Sequence, residues 1–190
     1  YSIVIGSGSR TTEKDSDSGY SVALGTMTTA EGRGVIAVGS YANASGNGSI
    51  AIGYLLEDDS SGTVETIAKE NAIAIGRGAN AAEQESIAAG LASQATATGA
   101  VAIGSYAGAY ANGSIAIGSS DGGNSTNNKT QANGANAIAI GREAISKDTG
   151  AIALGGSFTD DYNNCETNAA GEYSIVIGSG SRTTEKDSDS

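Results

Sequence analysis

A short phrase recurs eleven times along this chain: apolar-small-apolar-Gly, preceded in most copies by Ser or Ala, as in Ser49-Ile50-Ala51-Ile52-Gly53 and Ala72-Ile73-Ala74-Ile75-Gly76. Its closing glycines are Gly6, Gly25, Gly39, Gly53, Gly76, Gly90, Gly104, Gly118, Gly141, Gly155 and Gly178. Most steps are 14 residues, and the longer ones, 19 and 23, are that step with five or nine residues inserted. A chain that repeats its chemistry at so short an interval returns its backbone to equivalent surroundings, which is what stacked coils do. The expectation is one all-β solenoid over 1–190, built of eleven coils.

Within the phrase, large and small side chains alternate with the period of two that marks a strand with unlike faces. The sequence reading places Ile50, Ile52, Ile73, Ile75, Ile115, Ile117, Ile138 and Ile140 inside the coil as its core. It places the intervening Ala23, Ala37, Ala51, Ala74, Ala88, Ala102, Ala116, Ala139 and Ala153 on the opposite wall. That wall, too small-lined for an ordinary solvated face, is expected to pack against copies of itself. Gly39, Gly53, Gly76, Gly104, Gly118 and Gly141 then turn the chain. A second strand follows, with small inward residues such as Ala42 and Ala44, Ala79 and Ala81, or Ser93 and Ala95. Parallel stacking at about 4.8 Å per coil gives a rod of roughly 48 Å.

Composition agrees with a thin roll. With no Trp, no Pro, one Phe and 29 Gly, the chain lacks the bulky residues that fill a globular core. A net charge of -11 opposes nucleic acid or an anionic membrane as partner, because both call for a basic patch. No apolar run is long enough to cross a bilayer and no charged-then-apolar leader precedes Tyr1, so the expectation is either a soluble protein or targeting and anchoring segments outside these residues. Cys165 is alone and makes no intrachain disulfide; a free thiol and an intermolecular bridge both stay open.

Catalysis is not expected. There is no His to act as base or ligand, and pairs such as Asp58 and Asp59 sit in loops. The run Asp15-Ser16-Asp17-Ser18-Gly19 resembles the start of a calcium loop but lacks the later Glu, so neither metal nor cofactor is predicted. Sequons such as Asn43-Ala44-Ser45 and Asn128-Lys129-Thr130 read as chance in a chain rich in Asn and Ser.

The repeats resemble the head repeats of trimeric autotransporter adhesins, the YadA-like family of bacterial surface proteins. The resemblance is carried by Asn71-Ala72-Ile73-Ala74-Ile75-Gly76 with Ala79 and Ala81, by Asn136-Ala137-Ile138-Ala139-Ile140-Gly141 with Ala144, and by looser copies along almost the whole chain. Gly48, Glu85, Gly99, Gly113 and Gly150 stand where the family carries Asn. The resemblance implies a left-handed parallel β-roll, three copies of which associate side by side as a homotrimer. It also implies export and display on the bacterial cell surface, with outer-membrane anchoring through segments not in this chain.

Function is expected in the insertions, read as loops at about 7–19, 54–70, 119–135 and 156–171. Candidate partner contacts are Glu57, Asp58, Asp59, Asp160, Asp161 and Tyr162, facing extracellular matrix or a cell-surface receptor. Residues 54–67 carry apolar and β-branched residues suited to a small hairpin, while Tyr54, Leu55 and Phe158 also suit the capping of a coil edge. Finally, residues 1–18 reappear unchanged at 173–190. The expected meaning is a super-repeat over 1–172 with 173–190 opening the next copy, an engineered duplication being the competing one. The predicted function is an adhesin head or fibre module; the alternative is a purely structural filament repeat with adhesion elsewhere.

Overall fold

The computed structural model describes residues 1–12, 19–58, 62–120, 129–159 and 164–183. Among them there is no helix, and hence none long and apolar enough to cross a membrane. The chain winds into a parallel β-roll with two main sheets. The first has eleven strands, from Ile3–Ile5 to Ile175–Ile177, and the second has ten, from Arg10–Thr12 to Asn168–Ala169. Strands follow one another in chain order within each sheet, so every coil adds one strand to each, except that the last reaches the second sheet only through the isolated bridge of Arg182 with Asn168. Register is kept across insertions: Ala51 pairs with Ala74 over a 23-residue step just as Ala74 pairs with Ala88 over 14.

The burial of these strands reverses the face assignment made from sequence. All nine alanines assigned to an outer wall, from Ala23 to Ala153, are completely buried within the single chain. The isoleucines assigned to the core lie on the outside: Ile52, Ile75 and Ile140 are 39–45 % exposed, while Ile50, Ile73, Ile115, Ile117 and Ile138 are half-buried. The reason is width. Each coil turns two short strands back to back, and four side chains share its cross-section: Ser86, Ala88, Ser93 and Ala95 in one coil, Ala100, Ala102, Ala107 and Ala109 in the next, all fully buried. The residue before the first Ile belongs to the same inward set, as do the small residues of the second strand. Interiors pack at crystal-like density, so a layer filled by four small residues has no room for branched aliphatics. Val4 and Val176, in line with Ala23 and Ala153, are therefore inward residues too; Val176 is 5 % exposed.

Two tight turns close each coil, and both explain where the sequence is strict. At the closing glycine, φ is +119° in Gly39 and +121° in Gly104, and a Cβ there would lie 1.7 Å and 2.0 Å from the carbonyl oxygens of Gly53 and Gly118 in the next coil. No other residue fits, because both the backbone region and the space are closed to a side chain. The opposite turn holds one residue in the left-handed region, Gly48 (φ +67°) in one coil and Asn71 (φ +53°) in the next. This is the family's Asn position. Asn and Gly are the residues that adopt this conformation most readily, so the Gly-for-Asn exchanges keep the turn. Glu85 (φ +61°) and Tyr173 (φ +54°) occupy it against their preference.

The insertions are shorter than the loops read from sequence, because each span also contains a strand of the second sheet. Arg10–Thr12, Ile67–Ala68, Gln131–Ala132 and Asn168–Ala169 all pair in register within it. The hairpin expected near residue 60 is present, with Leu56–Asp58 antiparallel to Gly62–Val64. Phe158–Thr159 and Asn164–Cys165 form a second, unanticipated one.

Candidate interaction surfaces

Because alanine fills the interior, the outer face of the first sheet is aliphatic. One column runs from Ile3 through Val22, Ile36 and Ile50 to Ile175, and its neighbour from Ile5 through Leu24, Val38 and Ile52 to Ile177. Ala89, between Ile75 and Ile103, is the one small residue in either column. Among the described residues none covers the strip: Ile36, Ile75 and Ile103 in mid-rod stay 37–45 % exposed. It is about 48 Å long and two aliphatic side chains wide. Continuous apolar strips of this extent mark association surfaces on soluble domains.

The three nine-residue insertions leave the roll at one corner, after the strands Ile50–Ile52, Ile115–Ile117 and Ile152–Leu154. Regular coils take two residues there, closed by a turn such as the Ala107 amide donating to the Gly104 carbonyl at 3.3 Å. Where an insertion interrupts the turn, a buried Thr returns the chain to the coil. The hydroxyls of Thr66, Thr130 and Thr167 donate to the carbonyls of Gly76, Gly141 and Gly178 at 2.9, 2.8 and 2.9 Å. Each insertion is thereby clipped at its base to the following coil.

A recess of about 290 Å³ opens at the base of the first insertion, lined by Ser40, Tyr41, Tyr54, Leu55 and Arg77. Three successive coils supply its walls, held by the Leu55 amide donating to the Ser40 carbonyl and the Gly78 amide to the Tyr54 carbonyl, both 3.2 Å. The Arg77 guanidinium lies over the Tyr54 ring, 5.4 Å from its centre, an attractive cation–π arrangement. Its Nε is buried without a hydrogen-bond partner. Tyr41 holds φ +58°, unusual for a bulky residue. Sequence reasoning passed over Arg77. The available signal was position: Tyr41 and Tyr106 end the turn of the coil before an insertion, and Arg77 and Arg142 begin the turn of the coil after it.

A model of the YadA head domain repeat (2 copies) matches residues 19–42, 36–55, 68–93, 84–107, 95–120, 132–157 and 166–188, most of the chain. The chain belongs to the YadA head repeat family. Among curated proteins nothing matches it. A YadA-type head is an adhesin module of the bacterial surface rather than an enzyme.

In this YadA-type head the third insertion has acidic surroundings. Glu143 is 2 % exposed and its carboxylate accepts a hydrogen bond from the Ser157 hydroxyl. Burial, and then the charge of Glu143, raise the pKa of Glu166, while Lys147 and Arg182 act in the opposite direction. Among the described residues no group of three His, Cys, Asp or Glu gathers as a metal would require. Of the loop residues singled out from sequence, Glu57 and Asp58 lie on the first hairpin, whereas Asp59, Asp160, Asp161 and Tyr162 fall outside the described residues, as does the run 13–18 containing Asp15.

Proposed function

We propose that this YadA-type head attaches bacteria to host matrix, cells or other surfaces, and that three copies pack side by side through the aliphatic columns of the first sheet. The observation that carries the reading is the separation of two surfaces on one roll. A strip of Ile and Val is laid out for like chains, and a corner bearing three long insertions is laid out for something else. The insertions follow the fourth, eighth and tenth coils, so they leave the rod roughly 19 Å and 10 Å apart along one edge. The recess at Tyr41, Tyr54 and Arg77 gives that edge a floor in which a guanidinium lies over an aromatic ring with its Nε short of a hydrogen-bond partner, suited to an acidic partner group. Display on the cell surface then depends on outer-membrane anchoring supplied by other segments.

The test is to shorten 119–129, and separately 54–65, to the two residues of a regular coil, leaving Thr130 and Thr66 in place. Attachment of beads coated with the protein should fall while the circular dichroism stays that of the parent. Unchanged attachment in both variants would remove the insertions from the adhesive role. A second reading, a structural filament repeat with adhesion elsewhere, is favoured by the identity of residues 1–18 and 173–190. Unchanged attachment is the result that this reading expects.

A further inference from the structure

The described parts of the eighteen-residue repeat, 1–12 and 173–183, sit at opposite ends of the stack, and the two occurrences use complementary backbone groups. At the first end, the Ile3 amide donates to the Ser21 carbonyl and the Ile5 carbonyl accepts from the Gly25 amide, both at 2.9 Å. On the second sheet the Arg10 amide donates to the Thr28 carbonyl and the Thr12 carbonyl accepts from the Gly32 amide, again at 2.9 Å. At the other end a different set is engaged. The Ser174 carbonyl accepts from the Ile152 amide at 2.8 Å, and the Gly178 amide donates to the Leu154 carbonyl at 2.9 Å. Likewise the Ser181 carbonyl accepts from the Asn168 amide and the Thr183 amide donates to the Asn168 carbonyl, both at 2.9 Å.

Translated to the first occurrence, that second set is the Ser2 carbonyl, the Gly6 amide, the Ser9 carbonyl and the Thr11 amide. None of these belongs to the first set. Successive residues of a parallel strand direct their amide and carbonyl groups to opposite neighbours, so one coil can use both sets at once. We infer that copies of the 172-residue unit joined through this sequence form one uninterrupted solenoid, the shared coil being the last of one copy and the first of the next.

Side chains agree with this seam. Val4 pairs in register with Ala23 and Val176 with Ala153, so the same Val lies in line with the interior alanines from either side. Tyr1 stacks on Tyr20 with ring centres 5.9 Å apart and planes 7° from parallel. Its equivalent Tyr173 is 73 % exposed, and a following copy supplies the matching ring. Ile175 and Ile177, at 61 and 71 %, are more exposed than Ile75 at 45 %, and one further coil would cover their open side. Ten coil steps then set an axial period of about 48 Å with both sheets and both aliphatic columns continuous. The inference does not depend on what the insertions bind.

The experiment extends the full chain beyond Ser190 with residues 19–190 repeated, and compares it with the parent by amide hydrogen exchange and electron microscopy. The Ile175 and Arg182 amides, equivalents of Ile3 and Arg10, should slow at least about 100-fold, towards the rates of mid-rod strands. The rod should lengthen by about 48 Å without a hinge. A seam variant of the doubled chain, Val176→Asp, should bend at mid-length and lose that protection. Exchange at Ile175 and Arg182 that stays at the parent rate, or two rods meeting at variable angles in the unsubstituted chain, would overturn the inference. Should the doubled chain not fold, the inference is likewise overturned, since a continuous solenoid adds coils without new end surfaces.

Discussion

The two sheets of this roll share a backbone repeat and an interior, yet their outer faces differ. Outside the first sheet, Ile50, Ile73, Ile87 and Val101 follow one another in register. At the corresponding place on the second sheet the order is Asn43, Ile67, Asn80, Gln94, Gly108 and Gln131. Alanine behind both faces makes the coil, so the outward residues are free to carry a different instruction on each side. The first is the face proposed above for a neighbouring chain, whereas the second carries mainly amide side chains, those of Asn43 and Asn80 with a buried Oδ1. Coil formation and the proposed assembly therefore rest on alternate residues of a single strand, and substitutions one position apart should have unlike effects.

The largest effect is expected inside. Ala116→Glu places a carboxylate where exposure is zero and no partner waits, at a cost on the order of 3–5 kcal/mol. Its melting temperature and strand signal should both drop; a folded variant that only dissociates would restore alanine to the assembly surface. Next comes the turn that the two faces share. Gly104→Ala must fit a Cβ 2.0 Å from the Gly118 oxygen, whereas Gly99→Ala at φ +65° meets nothing within 4 Å. Thermal denaturation should give the first a loss several times that of the second, for which about 1 kcal/mol is expected. Equal losses would mean that backbone conformation, not crowding of the glycine column, governs this turn.

Smaller differences are expected where the insertions rejoin the coil. Thr130→Val keeps the shape but removes the hydroxyl bonded to Gly141, and should lower stability by about 1 kcal/mol in urea unfolding. The smallest effect concerns Glu166. Its raised pKa means that the folded chain holds the proton more firmly than the unfolded one, a contribution complete below the unfolded carboxylate pKa and lost as pH rises through the folded value. Glu166→Gln should therefore melt above the parent at neutral pH, and the difference should close on acidification. A gap that widens in acid would reverse the sign of the shift.

Much of this was legible in the sequence, and the one large error is instructive. Period, coil count, parallel stacking, the glycine turns and the inward small residues of the second strand all follow from spacing. The Ile-Ala-Ile alternation, however, states only that two faces differ. It does not state which faces inward, and the habit of burying the larger residue gives the wrong answer in a coil this thin. The deciding signal lay one residue earlier: Ser49 or Ala72 shares the phase of the small central Ala, so the small set is longer than the large one. Insertion ends were misplaced for a related reason. Thr66, Thr130 and Thr167 look like loop residues, and only their buried hydroxyl bonds to the next glycine carbonyl mark them as the return to the coil. Arg77 was passed over because its surroundings come from three coils, with Tyr41 and Tyr54 on the other two, and its place at the turn after an insertion was the one sequence cue to it.

The claim that the aliphatic columns face outward for assembly meets its most direct test in the double variant Ile75→Asp, Ile140→Asp, followed by sedimentation equilibrium together with circular dichroism. Both residues lie on the outer column, 45 and 39 % exposed in the single chain. The expected result is a folded monomer with the strand signal of the parent. A variant that still sediments as the parent assembly would contradict the account, and so would one that loses the β-roll altogether.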